Sequence, residues 1–176
     1  MEYIIREPEI TDADGIHILH KKYLYQNLSE EQRSHGFIKV EYSLNDIKKI
    51  IEANDIALCC YDKSIIGYYL LGFVTQNEAL NYQYKALNEL FYNGKLLNEL
   101  KVACGAQAIV EKEYRSSGLT NRMLQLLIEN VIGKYDYLMS SITKTNDTAF
   151  KVHEKSGYTV VGETDTKVFV CLKIAS

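Results

Sequence analysis

The segment Tyr114 to Met123, YRSSGLTNRM, places an arginine, two serines and a glycine directly before a run with helical periodicity. Small residues at a helix entrance leave main-chain N–H groups open, and a cation beside them completes a site for an anion. A Walker-type phosphate loop needs Lys and then Ser or Thr after its last glycine, whereas Gly118 is followed by Leu119 and Thr120. The dinucleotide pattern G-x-G-x-x-G is also missing. Two familiar nucleotide signatures are thereby excluded, and a different strand–loop–helix anion site is expected, with donors from Arg115, Ser116, Ser117, Gly118, Leu119 and Thr120.

Other residues with chemical potential are more scattered. His17 and His20 stand three apart on one helix face, a spacing that suits a metal, yet no third ligand is evident and they read as a surface pair. Cys104 and His153 would form a thiol acyl-transfer dyad if they met, but Cys104 reads as strand core. The four cysteines, at 59, 60, 104 and 171, show no C-x-x-C spacing and read as free, buried thiols. Glu99, Glu111 and Glu113 are carboxylates able to act as a base, whereas Gln107 is not.

These residues need elements to hold them. Tyr3 to Arg6 reads as a strand, and Thr11 or Asp12 caps a helix running to about Leu24. The polar stretch QNLSEEQRSHGF reads as a loop or short helix. Ser43 with Asp46 three residues on caps a helix through SLNDIKKIIEAN. Two β-rich runs then flank Asp62-Lys63-Ser64 as a hairpin. From Glu78 to about Leu100, Leu80, Tyr84, Leu87 and Phe91 recur at helical spacing, an amphipathic insertion whose apolar face must pack on the domain or on a second copy. LKVACGAQAIV reads as a continuous interior strand with both faces covered. Leu119, Met123, Leu126, Leu127 and Val131 form one helical face after the anion loop. YDYLMSSI is a strand, NDTAFKVHEKSG a capped helix closed by Gly157, and YTVVG and KVFVCLKI are terminal strands. This order is a mixed α/β domain.

A chain of 176 residues with 47% hydrophobic content, one proline and ten glycines suits one folded domain over residues 1–176. A formal net charge of −3 gives no broad attraction to nucleic acid or anionic lipid. IIGYYLLGFV, at Ile65 to Val74, is too short to span a bilayer as a helix, and MEYIIREPEI lacks a signal-peptide core, so the expected address is the cytoplasm.

Arg115-Ser116-Ser117-Gly118-Leu119-Thr120 resembles the [RQ]-x-x-G-x-[GA] pyrophosphate loop of the GNAT superfamily of N-acetyltransferases. A second motif follows in order: NDTAFKVHEKSGYTVVG is similar to that family's N-x-x-[AS] helix with E-K-x-G-[FY] behind it. The departures are Thr120 where the family has Gly or Ala, Lys112 where proline is common, and His153 where a catalytic tyrosine often stands. Thr120 brings a Cβ and a hydroxyl close to the pyrophosphate position.

The resemblance implies an α/β (α+β by some schemes) fold with a central mixed, mostly antiparallel sheet, flanking helices and two splayed central strands. Residues 100–176 would form the acetyl-CoA-binding half, and residues 1–99, with the 78–99 insertion as a lid or a homodimer interface, the variable half. It implies that the 115–120 loop takes the pyrophosphate of acetyl-CoA, with Asn146 touching the same molecule. Ala108, Ile109 and Val110 would pair with the pantetheine arm, a backbone N–H near Ile109 would stabilise the thioester oxyanion, and His153 would be the catalytic acid. No metal is implied. The acceptor would be a small-molecule or peptide amine, with neither nucleic acid nor membrane as a partner. A non-catalytic acyl-CoA-binding or sensing domain is the alternative.

Overall fold

The computed structural model describes residues 2–72 and 78–174. Phe73 and Val74, the end of the IIGYYLLGFV run, and the side chain of Leu80 lie outside the described residues. Strand β1 (Ile4–Arg6) leads into helix α1 (Ala13–Lys22). Asp12 does not cap α1 with its side chain, because both carboxylate oxygens are taken by the Arg6 guanidinium at 2.7 and 2.8 Å, and one also accepts the Glu9 N–H. That fork holds the Asp12 carboxyl below its ordinary range and ties the first strand to the first helix. The polar stretch that follows folds into the single turn α2 (Glu30–Arg33). Ser43 and Asp46 form the expected capping box on α3 (Leu44–Glu52).

Strands β2 (Ile56–Tyr61) and β3 (Ser64–Leu70) form the predicted hairpin. Its two-residue turn puts Asp62 and Lys63 at φ of 46° and 65°, the mirror-image turn that matches strand twist. The 78–100 insertion is α-helical only in α4 (Glu78–Ala86), after which β4 (Phe91–Tyr92) and β5 (Lys95–Leu96) turn back on Asn93-Gly94 and a single 3-10 turn, Leu97–Glu99, follows. Leu87 and Leu97 reach the core while Phe91 is exposed, so the apolar repeat does not mark one continuous helix face.

The run read as one interior strand is broken. It forms β6 (Val102–Ala103) and β7 (Gln107–Val110), with Cys104 to Ala106 between them. Gly105 sits at φ +75°, and its N–H goes to the Gln83 side chain instead of to a strand. Helix α5 (Leu119–Val131), β8 (Tyr137–Thr143), α6 (Asp147–Lys155), β9 (Thr159–Glu163) and β10 (Lys167–Lys173) complete the chain. Leu126, expected on the buried stripe of α5, is only half-buried, and Leu124 takes that place.

Two four-stranded sheets result among the described residues, ordered β1-β2-β3-β7 and β6-β8-β10-β9, beside the two-stranded β4-β5. All pairs are antiparallel except β6 with β8. The broken run therefore belongs to both sheets, and beyond Ala103 the two diverge. Alternate strand residues feed two cores. Ile56, Leu58, Tyr68, Leu70 and Ile109 pack with α1 and α3, whereas Ala57, Cys59, Tyr69 and Val110 pack with α5.

His20 belongs to the first core, not to a surface pair with His17. It is fully buried, its Nε2 accepts the Tyr42 N–H at 3.1 Å, and its Nδ1 therefore carries the proton and donates to the Tyr68 hydroxyl at 2.8 Å. Burial, with a smaller push from His17, lowers its pKa from 6.5 to about 4. A base with a depressed folded pKa lends stability above the unfolded value and loses it as pH falls. Between pH 6.5 and 4 His20 is expected to remove about 3 kcal/mol of stability. Urea titrations at pH 7 and pH 4.5 test this, since His20→Leu should flatten that part of the difference.

Candidate functional site

Helix α5 begins at Gly118, which takes the left-handed conformation at φ +73°, as Ser116 does at +65°. Consecutive turns of this kind point successive amides to one side. Among the described residues, no backbone or side-chain group accepts a hydrogen bond from the N–H groups of Ser116 to Asn121. The expected anion loop is thus a set of open donors at the positive end of a thirteen-residue helix. The Ser117 hydroxyl turns back to the Tyr114 carbonyl, so its side chain braces the loop. Arg115 does likewise. Its Nε donates to the Val110 carbonyl at 2.9 Å and its Nη1 to the His35 carbonyl at 2.7 Å, which fixes the guanidinium at the edge of the loop.

From this loop a cavity of about 450 Å3 runs inward, lined by Ala108, Ile109, Val110, Arg115, Ser116, Gly118, Leu119, Thr120, Asn146 and His153. All the predicted site residues except Ser117 meet there. At its inner end the strands diverge. Among the described residues β7 pairs only with β3, and β8 beyond Met139 only with β10, so the edges of Gln107–Val110 and Ser140–Thr143 face each other across a gap.

The register decides which main-chain groups are available. The Glu111 N–H donates to the Ile66 carbonyl, and this ladder makes Ile109 the hydrogen-bonded partner of Tyr68. Alternation therefore turns the N–H groups of Ala108 and Val110, on either side of Ile109, into the gap. The Ile109 side chain is core packing.

His153 lies on α6 at the junction of the cavity and the gap, only 7% exposed. Its Nδ1 sits 2.8 Å from the Ala149 carbonyl, which accepts only, so the proton is on Nδ1. Nε2 is buried, has no hydrogen-bond partner among the described residues, and holds a bare lone pair. Burial lowers the ring's pKa, outweighing the Ala149 and Ala106 carbonyls that favour the charged form. Near neutral pH the ring is therefore uncharged, with its proton on Nδ1 and Nε2 open. The Tyr158 ring packs against it edge-on, centroids 4.8 Å apart, and the Tyr158 hydroxyl lies 3.0 Å from that of Tyr69.

Asn146 caps α6 by accepting the Ala149 N–H and donates its own amide to the Phe37 carbonyl. Both ends of its side chain are thereby used, and it positions the wall of the cleft. The segment His35–Phe37 forms that wall, held by Arg115 on one side and Asn146 on the other. Its residues carried no sequence signal beyond polarity. Asn146→Ala should cost about 1–2 kcal/mol in a denaturant melt through the lost cap and tether. It should also speed amide exchange at residues 35–38.

The remaining candidates disperse. Glu111 is bound to Lys22 at 2.7 Å and to the Tyr23 hydroxyl at 2.9 Å, while Glu99 and Glu113 are exposed. Cys104 is fully buried, with its thiol pushed up to about 12, and cannot serve as a thiolate. Among the described residues no group of His, Cys, Asp and Glu could hold a metal, and no helix is long and apolar enough to cross a membrane.

No family model and no curated protein matches the sequence. The structure does match solved proteins. Over 98% of this chain and 99% of the other, it is similar to the PaiA N-acetyltransferase of Thermoplasma acidophilum in complex with coenzyme A, with a TM-score of 0.65 at 16% identity. Over 100% and 96% it is similar to yncA of Salmonella typhimurium with its cofactor acetyl-CoA, at a TM-score of 0.65 and 13% identity. Over 99% and 100% it is similar to an acetyltransferase of the GNAT family from Streptococcus pneumoniae, at 0.63 and 15%. The chain has the fold of the GNAT acetyltransferases.

Proposed function

We propose that this protein is an N-acetyltransferase that carries an acetyl group from acetyl-CoA to a primary amine by direct attack. The observation that carries this reading is the row of open amides from Ser116 to Asn121, joined by one cleft to the unpaired edges of β7 and β8. Those amides bind the pyrophosphate. The Ala108 carbonyl and the Val110 N–H pair with the pantetheine arm as an added strand would, and the Ala108 N–H donates to the thioester oxygen as it gains charge. His153 Nε2 takes the proton released by the attacking nitrogen and returns it to the departing thiolate sulfur, so that an amide and a thiol leave. Thr120 presents its hydroxyl to the pyrophosphate as one more donor.

Calorimetric titration with acetyl-CoA, with ATP as control, tests the first half of this reading. Release of free thiol in the presence of amines tests the second. Selective binding of acetyl-CoA with amine-dependent thiol release is expected. Binding without release on any amine would leave an acyl-CoA-binding domain, and no binding would remove the reading.

A further inference from the structure

The far end of the gap, away from the 116–121 amides, is a small cavity of about 100 Å3. Among the described residues its wall contains two lysines, Lys39 and Lys167, and no carboxylate. Neither ammonium has an ion-pair partner among the described residues. Lys39 stands 5.2 Å from the Tyr25 ring centroid and Lys167 stands 4.6 Å from that of Tyr82. Aromatic faces hold both cations in place without neutralising them. Gln107, also in this wall, has a buried amide nitrogen with no acceptor among the described residues. Burial, and then the nearness of Lys39, depress the ammonium of Lys167, as expected where positive charge lacks a counterion.

A buried donor without a partner is costly to keep unless a ligand answers it, and the two lysines beside it, one exposed and one half-buried, add positive charge at the same mouth. We infer that the acceptor is a small amine carrying an anionic group, a carboxylate or a phosphate, which Lys39, Lys167 and Gln107 receive while the amine faces Ala108 and His153. This rests on the transferase reading above. The same charges disfavour a second ammonium on the acceptor, so diamines and polycations are poor substrates. They also favour the free-base form of the attacking nitrogen, which is the form that reacts.

The test compares acceptors matched except for charge: alanine against alaninamide, and phosphoethanolamine against ethanolamine, with thiol release as readout. At least one anionic member should show kcat/KM about tenfold or more above its neutral partner, and Lys167→Gln should shrink that ratio towards one. A readout independent of turnover is calorimetry of the products, where the anionic N-acetylated product should bind and its neutral counterpart should not. Equal kcat/KM within both pairs, or a ratio untouched by Lys167→Gln, overturns the inference while leaving the transferase intact. Failure of acetyl-CoA to bind instead overturns the transferase reading, and the inference with it.

Discussion

Gly118→Glu is expected to lower acetyl-CoA affinity by on the order of 100-fold, about 3 kcal/mol, while the protein still unfolds cooperatively. A Cβ built at Gly118 meets no heavy atom within 4 Å, so no packed neighbour opposes the new side chain. The backbone opposes it mildly, because a non-glycine residue at φ +73° costs roughly 1–2 kcal/mol. A carboxylate beside a helix N-terminus gives back about 0.3–1 kcal/mol of that. Binding suffers far more, because the carboxylate folds over the amides of Leu119 to Asn121 and meets the pyrophosphate with like charge. Gly118→Ala separates the two causes, since it carries the strain and none of the charge, and should lose only a few-fold. Calorimetry on both variants beside a thermal melt decides the matter. A Glu variant that binds within about threefold of the parent would remove the loop from the site.

His153→Phe should reduce kcat about 100-fold or more, the usual worth of a positioned proton acceptor, with the KM for acetyl-CoA nearly unchanged. The pH profile gives the sharper reading. In the proposed role His153 acts only when Nε2 is bare, and burial depresses its pKa, so the parent's rate should be level at neutral pH and fall in acid as the ring takes a proton. In the Phe variant that acid limb should be gone. Stability should hold or rise slightly, because the substitution removes a buried, unpartnered nitrogen. Identical acid limbs in parent and variant would reduce His153 to packing.

Where a short segment decides its own structure, the sequence was readable. Ser43 and Asp46 cap α3, Asn146 caps α6, and the six residues from Arg115 to Thr120 form the helix entrance their types predict. What failed depended on distant partners. LKVACGAQAIV has the composition of a buried strand throughout, and only Gln83, met in space at Gly105, reveals where it breaks. His20 and His17 look equivalent on a helix face until Tyr42 and Tyr68 close around one of them. His153 was found by position, but its protonation is set by the Ala149 carbonyl below it and by burial, neither of which a motif records. The cleft wall at His35–Phe37 was missed because its contacts are main-chain carbonyls, which any residue type would supply.

The break at Cys104 to Ala106 has a further consequence. By letting one run of chain serve two sheets, it opens a gap floored by main-chain donors and acceptors, for which side-chain identity matters little beyond size. Substitutions along β7 and β8 that respect volume and strand preference leave those groups where they are. Such a gap can drift far in its letters while keeping its main-chain groups in place, and here the fold is shared with proteins of only 13 to 16% identity.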